Sequence, residues 1–382
     1  MIKSFTATTH EIDDAAAAVA GIKAALDLEN NLLKNSLGII SCFSEFEETG
    51  VLRAICDALP FDCIGATTCL CTAGGGIDQI ILTITVLTSN DCDFKTLEIP
   101  IDEDFDNSIN SSLSGLGEQS TGKPALFLSY FPLIKMISGD MMLEAIDRAT
   151  GGIPVFGNTA IDHTNDFSTS RTIYNGAMFS KSLVMGAIYG NVEFSFAIAS
   201  FEKDKIKNQK AIITESTGNL LIGVNGKKAM EYFKEIGMTK DELASGSAIV
   251  PLMVDNMDGT MPIARAVFAL TPEGHVVCGG KMPTNKPLTI ARINREDVLH
   301  TTETVLETLV SGDCTILSYS CLARYLVLGV NNKAEAEKIR EVAGDTHFLF
   351  AYSSGEICPL PDADGKLKNY YHNYTIVFCR LK

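Results

Sequence analysis

The 382-residue chain has no apolar run approaching the ~18–20 residues of a membrane-spanning helix, so none is expected. The alanine run Ala15–Ala18 follows Asp13-Asp14 without a basic leader, so it is not expected to be a signal peptide. No C-x-x-C pair occurs among the 11 cysteines. An odd count scattered through apolar runs, as at Cys42, Cys314 and Cys379, argues against a disulfide framework and fits free thiols in a reducing cytoplasm. Cys69-Leu70-Cys71 is a lone C-x-C with no second ligand pair nearby in sequence, so no metal site is expected. Positive charge is short: 31 Lys and Arg stand against 47 Asp and Glu, a formal charge of −16. Such a surface repels phosphate backbones and anionic lipid, so neither nucleic acid nor a membrane is expected as partner. Gly74-Gly75-Gly76 lacks a following Lys-Ser/Thr and is a turn, not a phosphate loop.

What is present is an ordinary globular composition in a chain long enough for two domains. Thr8 and Glu11 have capping-box spacing, and Ala15, Val19, Ile22 and Leu26 follow at helical intervals. A unit of strand, helix, strand, small residue and further strands then recurs three times. Its first strands are Leu37–Phe43, Ala125–Phe131 and Thr315–Ser320. Ile40-Ser41, Leu128-Ser129 and Leu317-Ser318 take matching places, as do Gly65, Gly157 and Ala351. The expected fold is α/β, with mixed sheets, covering helices, three weak repeats and two domains. Asp102–Lys123, rich in Asp, Asn, Ser and Gly, reads as a surface loop. The charged stretch Phe201–Lys210 marks a domain boundary, giving 1–205 and 206–382. Beyond it a hairpin, a helix and a meander of short strands are expected, including Ala248–Val254 and Ala264–Leu270.

The last stretch, Phe348–Arg380, carries the densest polar chemistry. An apolar strand breaks at Ser353-Ser354-Gly355 and presents Glu356. After a polar turn the chain returns through His372-Asn373 into a strand. Gly355 is expected to let the backbone bend sharply. Strand ends of α/β sheets are where ligands gather, so this hairpin is expected to form one wall of a small-molecule site.

These segments resemble the FIST family, which joins an N-terminal and a C-terminal FIST domain. Ile64–Thr68 is similar to its first strand end, and Pro154–Asp162 (PVFGNTAID) to its second. Ser320-Cys321-Leu322-Ala323-Arg324 matches S-C-x-x-R, Gly355-Glu356-Ile357 with Pro359 matches G-E-i-x-P, and His372–Thr375 matches H-N-x-T. Asn158 departs from the pattern where a second Gly is usual, and Cys69–Cys71 fills a place where Gly-Glu often follows. The resemblance implies an intracellular, non-catalytic sensory domain that binds a small ligand, with amino acids proposed. It implies an output to a separate histidine kinase, chemotaxis transducer or cyclic-di-GMP enzyme, because the FIST pair is expected to use up the chain. Some members bind haem and sense nitric oxide.

Arg324 and Glu356, if they converge, can clamp the carboxylate and ammonium of an amino acid, with His372 and Asn373 completing the lining. The plain alternative is an Arg324–Glu356 ion pair sealing the sheet end. Gly157, Asn158 and Asp162 form the corresponding site at the second repeat, where Asp162 either meets ligand or caps a turn. Cys321 lines the same C-terminal site; as a hydrolase it would need His372 as base, and an apolar buried thiol is the plainer expectation. No cofactor is expected; were haem bound, His163 and His372 are the candidate ligands.

Overall fold

The structure, a computed structural model, describes residues 1–118, 122–164, 166–207, 210–244 and 249–382. Three sheets built to one plan form its framework. A central strand runs antiparallel to one neighbour and parallel to the other, and an antiparallel strand flanks each side. In the first sheet the order is Lys3–Thr9, Leu82–Ser89, Asn35–Cys42, Cys63–Thr67, Thr172–Tyr174, then Ala177–Phe179. In the second it is Asp93–Pro100, Ser182–Tyr189, Leu126–Phe131, Val155–Thr159, Gly355–Pro361, then Leu367–His372. In the third it is Phe194–Ala199, Ile376–Leu381, Thr315–Cys321, His347–Ser353, then Cys71–Thr72. The three repeats are thus one architecture. The strand beyond each parallel pair comes from another repeat: the second supplies the first sheet, the third the second, and the first the third.

The strands read as apolar runs because both faces are covered. Leu37, Ile39, Leu128, Tyr130, Leu317 and Tyr319 meet in one central cluster from all three sheets. There the Tyr130 and Tyr319 hydroxyls bond at 2.9 Å with their rings edge to face. Outside, helices Ala15–Leu26 and Val51–Asp57 cover the first sheet, Phe105–Glu118 and Gly139–Thr150 the second, and Arg295–Glu307 and Ala334–Ala343 the third. None of the described helices is long and apolar enough to cross a membrane. A Cβ on Gly65 or Gly157 would lie 1.9 or 1.8 Å from the carbonyl oxygen of Ile40 or Ser129. Those two glycines are therefore equivalent, and Ile40 corresponds to Ser129. Pairing Ser41 with Ser129 from sequence is out by one residue.

Two sequence expectations are corrected. Thr8 belongs to a strand paired along its length with Leu82–Ser89, as the β-branched alternation of KSFTATT favours. The helix starts later, capped by Asp14, whose carboxylate accepts from the Ala17 N–H at 2.9 Å. The stretch Asp102–Lys123 is largely the helix Phe105–Glu118. Phe105, Ile109 and Leu113 give it an inward stripe at helical spacing that its Asn and Ser content masks. Residues 119–121 lie outside the described residues.

Between Phe194–Ala199 and Arg295–Glu307 the chain forms a second, antiparallel β body with its own core of Ile213, Leu221, Phe233 and Val276. The expected strand Ala264–Leu270 is two strands here, Ile263–Arg265 and Val267–Leu270. Residues 208–209 and Ala248 lie outside the described residues. The break at 205/206 falls near the start of this body, and residues from Arg295 onward return to the three sheets.

Candidate functional site

The strands Leu126–Phe131, Val155–Thr159, Thr315–Cys321 and His347–Ser353 all end toward the inserted β body. Their following residues, Pro132, Ile161, Leu322 and Ser354, line one cavity of about 750 Å³. The inserted body closes it with Ala266–Ala269, Val277 and Gly279. The volume lies within the roughly 300–1,000 Å³ of small-molecule sites, and the walls are mostly apolar, with Leu133, Ile161, Phe167, Phe268 and Leu322 among them.

Two buried contacts hold the bodies together here. Arg265 of the inserted body donates to Asp140 Oδ1 at 2.7 Å and to the Tyr371 carbonyl at 2.7 Å. Asp140 Oδ2 accepts from the Lys281 N–H at 2.7 Å. Burial raises the Asp140 carboxyl pKa despite that guanidinium. Asn373 accepts from the Ala266 N–H at 3.2 Å and donates to the Ser354 carbonyl at 3.4 Å.

The sequence singled out eight site residues, and the structure seats most of them one layer behind the cavity wall. Cys321 does line it, 2% exposed, and burial with the nearby Glu356 carboxyl raises its thiol pKa well above the usual value. Glu356 is fully buried and accepts from Ser353 Oγ and Thr375 Oγ1, each at 2.7 Å. Burial pushes its pKa up to about 8. His372 is its register partner on the next strand and donates from Nε2 to the Cys358 carbonyl at 3.0 Å. Burial pushes its imidazole down to about 4. Asn158 is the other register neighbour of Glu356, and its Oδ1 is buried without a partner among the described residues. Gly157 is packed against Ser129 as described. Asp162 takes the turn-capping role: it accepts from the N–H and hydroxyl of both Thr164 and Thr169, at 2.6 to 2.8 Å. This fixes the loop that carries Phe167 and Arg171 into the wall.

Arg324 and Glu356 do not form a clamp. Arg324 is fully buried and gives Nε and Nη2 to Glu335 Oε1 at 2.9 and 2.8 Å. Nη2 also reaches the Val298 carbonyl and Thr302 Oγ1. A buried guanidinium needs a carboxylate at close range, and the fully buried Glu335 supplies it. The pair pins helices Arg295–Glu307 and Ala334–Ala343 to the end of the third sheet.

The residues that face the cavity are chain neighbours of those expected: Thr159, Ile161, Ala323, Ser354, Tyr371 and Tyr374. For Thr159 and Tyr371 alternation explains this, since along a strand successive side chains take opposite faces. Tyr371 is the one most tightly held. Its hydroxyl lies 3.1 Å from Thr159 Oγ1. A Cβ on Gly139 would lie 2.2 Å from its ring, and one on Gly355 would lie 1.9 Å from its hydroxyl. Gly355 thus serves close approach, where the sequence suggested a bend. Arg265 is a lone cation in the apolar stretch PIARAVFAL, the sequence signal of a buried pairing there.

Of the two histidines named as candidate haem ligands, His163 is exposed with its ring tilted against Phe43 at 4.4 Å, and His372 Nε2 donates to the Cys358 carbonyl. Among the described residues no group of three His, Cys, Asp or Glu is placed to hold a metal ion.

The architecture is thus a three-sheet α/β body with an inserted β body and a largely apolar cavity between them. Two family models match in the same order. The FIST N domain covers residues 36–227 and the FIST C domain covers 229–359, so the chain belongs to the FIST family, which is associated with sensory functions in signal transduction. Comparison with curated proteins finds no match. Among solved structures the chain is similar to cyanuric acid hydrolase from A. caulinodans, at 7% identity and TM-score 0.40, covering 99% of each chain. A second cyanuric acid hydrolase structure, described as an evolutionary innovation by structural concatenation, matches at 9% identity and TM-score 0.35. There the match covers 99% of this chain and 98% of that one.

Proposed function

We propose that the protein is a cytoplasmic sensory module that takes an amino-acid-like ligand into the junction cavity and signals to a separate protein. The observation that carries this reading is the position of the cavity: a ligand there touches both bodies at once. Polar links join the bodies beside the cavity, Arg265–Asp140, Lys281–Asp140 and Asn373–Ala266 among them. A guest that binds one seating of the inserted body better than another shifts the population toward it. Free thiols throughout support the reducing compartment: all 11 cysteines are free, ten of them buried. The polar groups support binding over catalysis. The Cys321 thiol is disfavoured as a thiolate, and His372 spends its Nε2 proton on a carbonyl. A histidine kinase, a chemotaxis transducer or a cyclic-di-GMP enzyme is the class of output protein this reading expects.

The test is thermal unfolding against a panel of amino acids and small carboxylates. Ligand at ~100 times its Kd adds ~2.7 kcal/mol to stability, a readily measured shift. Leu326, 46% exposed, lines the cavity, and Leu326→Trp should weaken any hit without disturbing the fold. A panel that leaves the transition unmoved, with the transition itself cooperative, would overturn the reading.

A further inference from the structure

We infer that the junction cavity takes an amphipathic acid, a carboxylate on an apolar body larger than one amino-acid side chain. The inference rests on the ligand-binding reading above and assigns the same cavity a larger, amphipathic acid in place of a free amino acid. Three observations lead to it.

The first is charge. Acids outnumber bases in this chain by 47 to 31, yet the cavity lining carries three cations, Lys135, Arg171 and Lys181, against one acid, Asp166. The balance is inverted where the ligand would sit. Asp166 is partly occupied already, accepting from Thr164 Oγ1 and the Ser168 N–H.

The second is how Arg171 is held. Its Nη1 donates to the carbonyls of Ser168 at 2.8 Å and Ser170 at 2.9 Å. Those bonds orient the guanidinium plane, while Nε and Nη2 have no partner among the described residues. A fixed planar fork with free donors is suited to the two oxygens of a carboxylate. Lys135 and Lys181 are exposed, and their ammonium groups are likewise without partners among the described residues.

The third is the apolar remainder. Met136, Ile249, Phe268 and Leu326 are 75%, 41%, 37% and 46% exposed, and all four line this cavity. Solvent-facing side chains of that size clustered at one opening mark a binding site. The cavity of about 750 Å³ is the size that holds drug-sized ligands, with room well beyond a free amino acid.

The experiment displaces the fluorescent probe 8-anilinonaphthalene-1-sulfonate from the full chain with four compounds of matched body: octanoate, octyl phosphate, octanol and octylamine. 4-Phenylbutyrate, leucine and phenylalanine complete the set. Octanoate and 4-phenylbutyrate should displace the probe at concentrations roughly tenfold below octanol or octylamine, the size of one charge-assisted contact. Octyl phosphate competing better than octanoate would assign the site to a phosphate head instead. Lys135→Gln with Lys181→Gln, two exposed changes that leave the fold alone, should reduce the advantage of octanoate over octanol, and Arg171→Gln should remove it. Octanol or octylamine matching octanoate in the parent would overturn the inference. So would an acid preference that survives all three substitutions. Should leucine or phenylalanine displace the probe while octanoate does not, the amino-acid reading stands and this one falls. If nothing displaces the probe or stabilises the protein, both fall.

Discussion

Glu356 and His372 are register partners on adjacent antiparallel strands, both buried, and burial moves their proton equilibria in opposite directions. The carboxyl rises from 4.5 to about 8 and the imidazole falls from 6.5 to about 4. Near neutrality each is held mainly in its uncharged form, the form that costs least in a dry interior.

The sign of the pH effect follows. A raised carboxyl stabilises the fold fully below its unfolded pKa, and that stability is lost as pH climbs toward about 8. A lowered imidazole stabilises fully above 6.5, and that is lost as pH falls toward about 4. Between these ranges, from pH 6.5 to 8, only the carboxyl contributes. Glu356→Gln should therefore gain on the parent by about 2 kcal/mol over that interval in urea unfolding. A difference that stays constant with pH would show that this carboxyl does not titrate there.

Arg324→Ala should cost about 3–5 kcal/mol, because it leaves the Glu335 carboxylate buried and alone. The double change Arg324→Met with Glu335→Leu should recover most of the loss. If the single change is mild, the pair is not the anchor described above. Chemical denaturation of the three variants decides it.

Gly355→Ala should destabilise by about 1–3 kcal/mol, since its Cβ meets the Tyr371 hydroxyl. Adding Tyr371→Phe removes that oxygen and should restore part of the stability. Full cost in both backgrounds would place the clash elsewhere in the wall.

Asp140→Asn should loosen the inserted body by weakening its pairing with Arg265, whose side chain is 5% exposed. Amide exchange across Ala211–Ile290 should quicken while that of the central strands Leu126–Phe131 and Thr315–Cys321 does not. Uniform quickening would mean global destabilisation instead of a freed body.

The repeats were legible because parallel strands covered on both faces leave long apolar runs, and because Gly65 and Gly157 sit where no side chain fits. The helix Phe105–Glu118 was hidden by its polar composition. The strand Lys3–Thr9 was mistaken because Thr8 and Glu11 satisfied a local rule that the long-range ladder with Leu82–Ser89 overrides. At the candidate site the sequence led to the correct strand ends and often to the wrong side of them. His372 and Tyr371 are adjacent, and nothing local says which of the two turns toward the hollow. Arg324 could be recognised as a buried cation only once Glu335, on another helix, was seen beside it.

The circular lending of edge strands has a practical outcome. Severed between residues 227 and 229, where the two family models meet, the first piece would keep Val155–Thr159 without Gly355–Pro361 and Phe194–Ala199 without Ile376–Leu381. Neither piece can finish its own sheets, and bare edges of that kind invite aggregation. Produced together, the pieces should complete each other's sheets, and their reassembly would itself report the integrity of the fold.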